Sequence, residues 1–181
     1  MTMKIFEERR SIRRYVDRPV EDEKLRAVLE AARLAPSWAN LQCWTYIVVK
    51  DPGVKEAVAA TLEGNPIRKA LDTAPVVIVA CADPERSGTA NGQPYYMVDI
   101  GISMQQLVLE ACNQGLGTCW VGWINEDELR SVLGVPKNIR IVALTPLGYP
   151  AVHPESPGRK TLQEITFLDR WCIQMGSGLE F

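Results

Sequence analysis

The 181-residue chain is one domain of ordinary size, able to bury roughly 70% of its unfolded surface. Its composition, 46% hydrophobic and 23% charged, is that of a globular protein, and a formal net charge of −2 from 20 basic and 22 acidic residues supplies no global basic field for nucleic acid. The longest apolar run, Pro75 to Ala82, falls far short of the roughly 18 residues of a membrane span, and Met1 to Glu8 has no signal-peptide core, so no membrane partner and a cytoplasmic location are expected.

Residues 3 to 10 read as a short helix with Ile5 and Phe6 on one face. Pro19 precedes a second helix, 21 to 34, in which Leu25, Val28, Leu29 and Ala32 recur at helical spacing until Pro36 stops it. Trp44 to Val49 is β-branched and aromatic, hence a strand, closed by Asp51-Pro52-Gly53. A helix over 53 to 62 ends at Gly64-Asn65-Pro66, and a short helical stretch leads into the strand Val76 to Ala82. Asp83 to Pro94 is rich in Gly, Pro, Ser and Asn and reads as a surface loop.

The longest helix, 95 to 114, carries Tyr96, Ile100, Met104, Leu107 and Val108 and is apolar around most of its circumference, as a helix buried on several sides should be. Gly115 caps it. Thr118 to Trp123 is strand-like, Asn125 with Glu128 forms an approximate capping box for a helix to Leu133, and Ile139 to Leu147 is the last strand. Beyond Gly148-Tyr149-Pro150 the chain runs to a C-terminal arm, 160 to 181, where Phe167, Leu168, Trp171 and Ile173 are too apolar to lie free in water. The arm folds back on its own domain or packs on a partner subunit. No repeat or linker divides residues 1 to 181, and helices standing between strands predict a mixed sheet with helical layers.

The five cysteines are odd in number and mostly embedded in apolar sequence, with no Cys-x-x-Cys spacing, so buried free thiols are expected. With His153 as the one imidazole, in a tail-like stretch, no metal site and no serine–histidine–acid triad is expected. Arg9, Arg10, Arg13, Arg14 and Arg18 surround Ser11. That run reads either as a solvated face or as a phosphate grip, because guanidinium forks match phosphate oxygens two at a time. Arg159-Lys160 is a second basic pair. Ser37, Asn40 and Gln42 lie between a helix end and a strand; they are ordinary loop residues or, through the Asn40 and Gln42 amides, readers of a heteroaromatic ring edge.

Gly115-Leu116-Gly117-Thr118-Cys119-Trp120-Val121-Gly122 follows a helix and enters a strand, the reverse of the order a dinucleotide fingerprint needs. Its Gly122 instead permits close approach of backbone to a planar ligand. Asp99 and Glu126-Asp127-Glu128 read as helix-surface or cap residues without chemistry, and Trp38, Trp44, Tyr95, Tyr96, Trp120 and Trp123 as core rather than cofactor contacts.

Taken in order, Arg-Arg-Ser-x-Arg, Glu-Ala-Ala-Arg-x-Ala-Pro-Ser-x-x-Asn-x-Gln, Gly-Leu-Gly-Thr-Cys-Trp-Val-Gly, Val-Leu-Gly-Val-Pro, Ala-Leu-x-Pro-Leu-Gly-Tyr-Pro and a late Arg-Lys resemble the compact branch of the FMN-dependent nitroreductase family over essentially the whole chain. The resemblance implies an α+β fold: a mixed, mainly antiparallel sheet flanked by helices in three layers, assembled as an intertwined homodimer with each flavin at the subunit interface. It implies that Arg9, Arg10, Ser11 and Arg13, joined by Arg159 and Lys160, grip the FMN phosphate and ribityl chain. Ser37, Asn40 and Gln42 would approach the flavin, partly from the partner subunit. Trp120, Val121 and Gly122 would lie along the ring, the Val121 amide facing the redox-active nitrogen N5, and Asn65 or Arg68 corresponds to a weaker family position near the ring.

Two departures stand out: Cys43 replaces the proline usual after the Gln, and Val121 stands where some relatives carry an acidic residue. The implied activity is transfer of electrons from NADH or NADPH through FMN to nitroaromatics, quinones or similar small acceptors in a two-electron ping-pong cycle, with no side chain acting as nucleophile or obligatory base. Ene reduction, dehalogenation and flavin modification on the same fold, and non-catalytic flavin binding, are the alternatives.

Overall fold

The computed structural model describes residues 2–171, in the order α1 (Lys4–Glu8), α2 (Asp22–Arg33), β1 (Trp44–Val49), α3 (Pro52–Ala60), α4 (Arg68–Thr73), β2 (Val76–Ala82), β3 (Thr89–Ala90), β4 (Gln93–Pro94), α5 (Tyr96–Asn113), β5 (Gly117–Thr118), α6 (Glu126–Leu133), β6 (Arg140–Gly148) and α7 (Leu162–Ile165). Strand β2, buried along its whole length, is central to a sheet of order β1-β2-β6-β5. Its side chains alternate with period two: Val77, Val79 and Cys81 enter one core, and Val76, Ile78, Ala80 and Ala82 enter the other. Helices α3, α4 and α6 cover the first face through Val58, Leu71 and Leu129. Helices α2 and α5 cover the second through Val28, Ile100, Met104 and Leu107, and each such large side chain, fully buried, contributes about 1.5–3 kcal/mol before chain entropy is charged against it. Three layers result, as expected.

Every ladder of the sheet is antiparallel; a single parallel bridge, Ser11 to Thr118, lets the N-terminal segment join β5. Between β2 and β6 the register shifts: Ala80 pairs with Ala143 but Cys81 with Ile141, leaving Val142 as the extra residue of a bulge. The bulge flips the parity of β6, so that Ile141 and Ala143 enter opposite cores.

Three segments differ from their sequence reading. The Thr118–Trp123 strand shrinks to Gly117–Thr118, because the next amide, Cys119 N–H, goes to the Thr145 hydroxyl at 3.1 Å rather than to a main-chain carbonyl; the segment touches the sheet again only at Val121. The 83–94 loop contains a 3-10 turn, Pro84–Arg86, and the β3/β4 hairpin around Asn91-Gly92. Helix α5 is buried on one side only, with Met97, Val98 and Ile102 exposed along the other. In the arm, Leu162, Ile165 and Trp171 are exposed and Phe167 packs against Trp171 with centroids 5.0 Å apart and the rings tilted by 54°; Cys172 and Ile173 lie outside the described residues. Cys43, Cys81 and Cys119 are buried free thiols and Cys112 is a half-buried one. Among the described residues there is no cluster able to hold a metal ion and no helix long and apolar enough to cross a membrane.

Candidate functional site

The N-terminal basic run is an extended strap, not a helix face. Ile12 N–H donates to Thr118 O at 2.8 Å, Val16 N–H to Tyr149 O at 2.9 Å, and Ala151 N–H to Arg14 O at 3.0 Å. Ile12 and Tyr15 plug into the core, and the Tyr15 hydroxyl donates to Ile12 O at 2.7 Å. Ser11 and Arg13, on either side of the buried Ile12, are turned away from that core together.

Close approach of the strap depends on Gly117. A Cβ there would stand 2.5 Å from Ile12 Cγ1 and 2.7 Å from Ile12 Cβ, well inside contact distance. A side chain at position 117 would hold the strap, and its arginines, away from the sheet.

Ser11, Arg13 and Arg14 line a cleft of about 170 Å³ with Val152 and Pro154. Arg13 also lines a trough of about 230 Å³ running along Cys119–Trp123, with Asn65 and Pro66 on the far side. The two cavities meet at Arg13. A larger cavity of about 380 Å³, bordered by Arg9, Arg10, Cys112, Gly115–Thr118 and His153, adjoins the cleft at Pro154. Among the described residues Arg9, Arg10, Arg13 and Arg14 form no ion pair, whereas Arg18, Arg33, Arg130 and Arg140 each hold a glutamate. Arg10 Nη1 donates to the Glu7 and Arg9 carbonyls, while its buried Nε has no hydrogen-bond partner. Unneutralised guanidiniums beside a cleft are what an anion requires.

Along the trough, Val121 is buried while Trp120 and Gly122 face out. The backbone corrects the expectation for Val121. Its N–H donates to Leu144 O at 2.9 Å and its carbonyl accepts from Leu144 N–H at 3.0 Å, so this amide is spent within the fold. The Trp120, Gly122 and Trp123 N–H groups have no hydrogen-bond partner among the described residues, and Gly122, which carries no side chain, is the one of the three whose backbone a planar ligand can approach most closely. Asn65 Nδ2 donates to Trp123 O at 2.8 Å, fixing the trough's far wall, while the exposed Arg68 does not line it.

The other predicted residues are not brought to this trough within one chain. Ser37, Asn40 and Gln42 stand on a loop whose Ala39, Asn40 and Gln42 have φ of 45°, 56° and 51°. The Ser37 hydroxyl accepts the Gln42 N–H at 2.9 Å, and the Gln42 amide donates to Asn40 O at 3.2 Å and to its Oδ1 at 3.3 Å. Arg159 and Lys160 are exposed, Arg159 donating to the Pro157 and Gly158 carbonyls at 2.8 and 3.0 Å.

Two acids read as bland surface residues are not. Asp99 is 2% exposed and accepts three hydrogen bonds; its spacing from Tyr96, Ser103 and Ile100 placed it on the buried face of α5. Glu126 accepts from Arg130, Arg140 and Ile141 N–H, and the Arg140 guanidinium holds its carboxyl below the ordinary value.

The sequence matches the model of the nitroreductase family over residues 6–149. The chain belongs to the nitroreductase family. It is 37% identical over 154 residues to an Archaeoglobus fulgidus relative that carries an NADH dehydrogenase/NAD(P)H nitroreductase name, covering 82% of this chain and 84% of that one. It is 31% identical over 189 residues to the FMN reductase [NAD(P)H] of Bacillus subtilis, covering 93% and 75%. A solved nitroreductase family protein of Clostridium novyi superposes with a TM-score of 0.80 at 34% identity, covering 94% of each chain. The α+β, three-layer architecture is therefore that of the nitroreductases, and it accounts for the strap, β5 and the trough lying on one edge of the sheet.

Proposed function

We propose that this nitroreductase-family chain binds FMN and uses NADH or NADPH to reduce small acceptors such as nitroaromatics and quinones. The observation that carries this reading is the meeting, at Arg13, of a cleft lined by unpaired guanidiniums and a trough with a free backbone donor. The residues fit the cofactor: Ser11, Arg13 and Arg14, with Arg9 and Arg10 behind them, suit a phosphate, and Gly122 N–H suits a ring nitrogen. FMN, when bound, supplies the two-electron redox chemistry. The chain's own residues hold and orient it, and the fixed positive charge of Arg13 favours negative charge on the ring.

Neither cavity that meets at Arg13 reaches the roughly 300–1,000 Å³ usual for a small-molecule site. Each chain supplies half of an enclosure, and a second copy supplies the rest. The exposed Met97, Val98 and Ile102 of α5, with Leu162, Ile165 and Trp171 of the arm, are the apolar surface that such a homodimer covers. In it, Ser37, Asn40 and Gln42 come to the flavin from the partner, and Arg159 and Lys160 close on the phosphate. Light scattering should show a yellow dimer at micromolar concentration; a flavin-loaded, active monomer would contradict the assembly.

The test of function is steady-state oxidation of NADH and NADPH with a quinone, a nitroarene and a haloarene as parallel acceptors. Nucleotide oxidation that depends on acceptor supports the reading, and tightly held FMN without nucleotide oxidation would make the protein a flavin carrier. The role of Gly122 has its own pair of variants. A Cβ at Gly122 meets only Trp120 Nε1 at 3.8 Å, so Gly122→Ala fits and keeps the N–H. Gly122→Pro deletes it. With FMN occupancy and dimer state intact, the proline variant should lose about tenfold or more in kcat, by the worth of one preorganised donor, while the alanine variant stays close to the parent. Equal rates in both would remove the backbone donor from the mechanism.

A further inference from the structure

We propose that Asp99 is a positioning residue that fixes the shape of the 37–42 loop and thereby the partner's flavin contacts. The inference rests on the reading above, in which Ser37, Asn40 and Gln42 meet the flavin across a dimer. Three residues of this loop that are not glycine occupy the left-handed region, at roughly 1–2 kcal/mol each, so the loop holds its shape only where its surroundings impose it. The buried Asp99 carboxylate grips both ends of the strained stretch. Oδ1 accepts Trp38 N–H at 2.8 Å at the entrance, and Oδ2 accepts from Cys43 Sγ at 3.5 Å at the exit. Oδ2 also takes the Ser87 hydroxyl at 2.7 Å, tying the 83–95 segment to the same point.

The surroundings agree. Burial, with Asp99 next in weight, pushes the Cys43 thiol up to about 12, so the sulfur keeps its proton and serves as donor. A proline at position 43 would have no such group, and the cysteine is thus part of the clamp. The Trp38 indole fills the space over Gly88, where a Cβ would stand 2.0 Å from Cε2, and it packs against Tyr95 with centroids 4.5 Å apart and the rings tilted by 57°. Asn40 and Gln42 are left exposed with their amides linked. A rigid loop presents those amides without an ordering cost at binding.

The test is FMN affinity of the purified holoprotein by equilibrium dialysis, well below the melting temperature, together with the visible spectrum of the flavin that stays bound. Asp99→Ala should weaken FMN by about tenfold and shift the flavin band. Asp99→Asn, which keeps an acceptor for Trp38 N–H, should stay within about threefold of the parent. Ser87→Ala, a milder change that leaves the carboxylate in place, should weaken FMN by about threefold and covers the case in which Asp99→Ala does not fold. A purely structural role would lower the melting temperature yet leave the affinity and spectrum of the folded fraction at the parent's values, and that result overturns the proposal. Gln42→Ala separates the two levels. If it weakens FMN while Asp99→Ala and Ser87→Ala do not, the positioning role fails alone; if none of the three has an effect, the loop is not at the flavin and the dimeric site reading fails with it.

Discussion

Replacing Gly117 by valine is expected to strip FMN from the protein and lower its melting temperature together. The position has no room: the new Cβ would sit 2.5 Å from Ile12 Cγ1, and Ile12 is fixed by its N–H to Thr118 O and by burial in the core. Overpacking of this kind typically costs about 1–3 kcal/mol, and each kcal/mol lowers the melting temperature of a domain this size by about 2–4 °C. Relief comes by lifting the strap from β5, which displaces Ser11 and Arg13 from the cleft they line. Losing two charge-assisted phosphate contacts, at about 1.5–3 kcal/mol each, weakens FMN on the order of a hundredfold or more. Thermal melts and flavin content of the purified variant check this. A Gly117→Val protein as yellow and as heat-resistant as the parent would show that the strap does not depend on that glycine.

The second large effect separates charge from fold. The double variant Arg9→Ala with Arg13→Ala removes two guanidiniums that form no ion pair among the described residues, so the fold loses little. FMN loses both, and the same arithmetic gives a fall on the order of a hundredfold or more in affinity. The melting temperature measured with FMN absent should stay near the parent's, unlike that of Gly117→Val. Riboflavin, which lacks the phosphate, should bind parent and double variant alike. Retention of FMN by the double variant at the parent's affinity would place the phosphate elsewhere.

Much of this was legible in the sequence because period and turn chemistry carry it. The continuous apolar run Val76–Ala82 is a fully buried strand, and Asp51-Pro52 starts α3 with the aspartate accepting the Val54 N–H, as its residue types imply. The order of motifs was enough to place the family. Tertiary choices were not legible. Whether Cys119 N–H would pair with a strand or with the Thr145 hydroxyl depends on a residue 26 positions away, and that choice cut β5 to two residues. The Val121 amide went to Leu144 for the same kind of reason, leaving the donor role to its unpaired neighbours, of which Gly122 is the one without a side chain. The burial of Asp99, by contrast, was legible. Its place three residues after Tyr96 and four before Ser103, both buried, marks a carboxylate facing inward, and a buried carboxylate needs donors that local sequence does not announce. Within one chain Ser37, Asn40 and Gln42 line neither cavity at Arg13; in the reading proposed above a second copy brings them there.

The most direct measurement is an anaerobic one on the purified yellow protein. Adding NADH, and in a separate cuvette NADPH, should bleach the flavin's visible absorption with at least one of the two, and adding a water-soluble quinone should restore it without oxygen. Protein that carries FMN but is bleached by neither nucleotide, or that is bleached and not reoxidised by any of the quinone, nitroarene or haloarene acceptors, would contradict an NAD(P)H oxidoreductase built on this site.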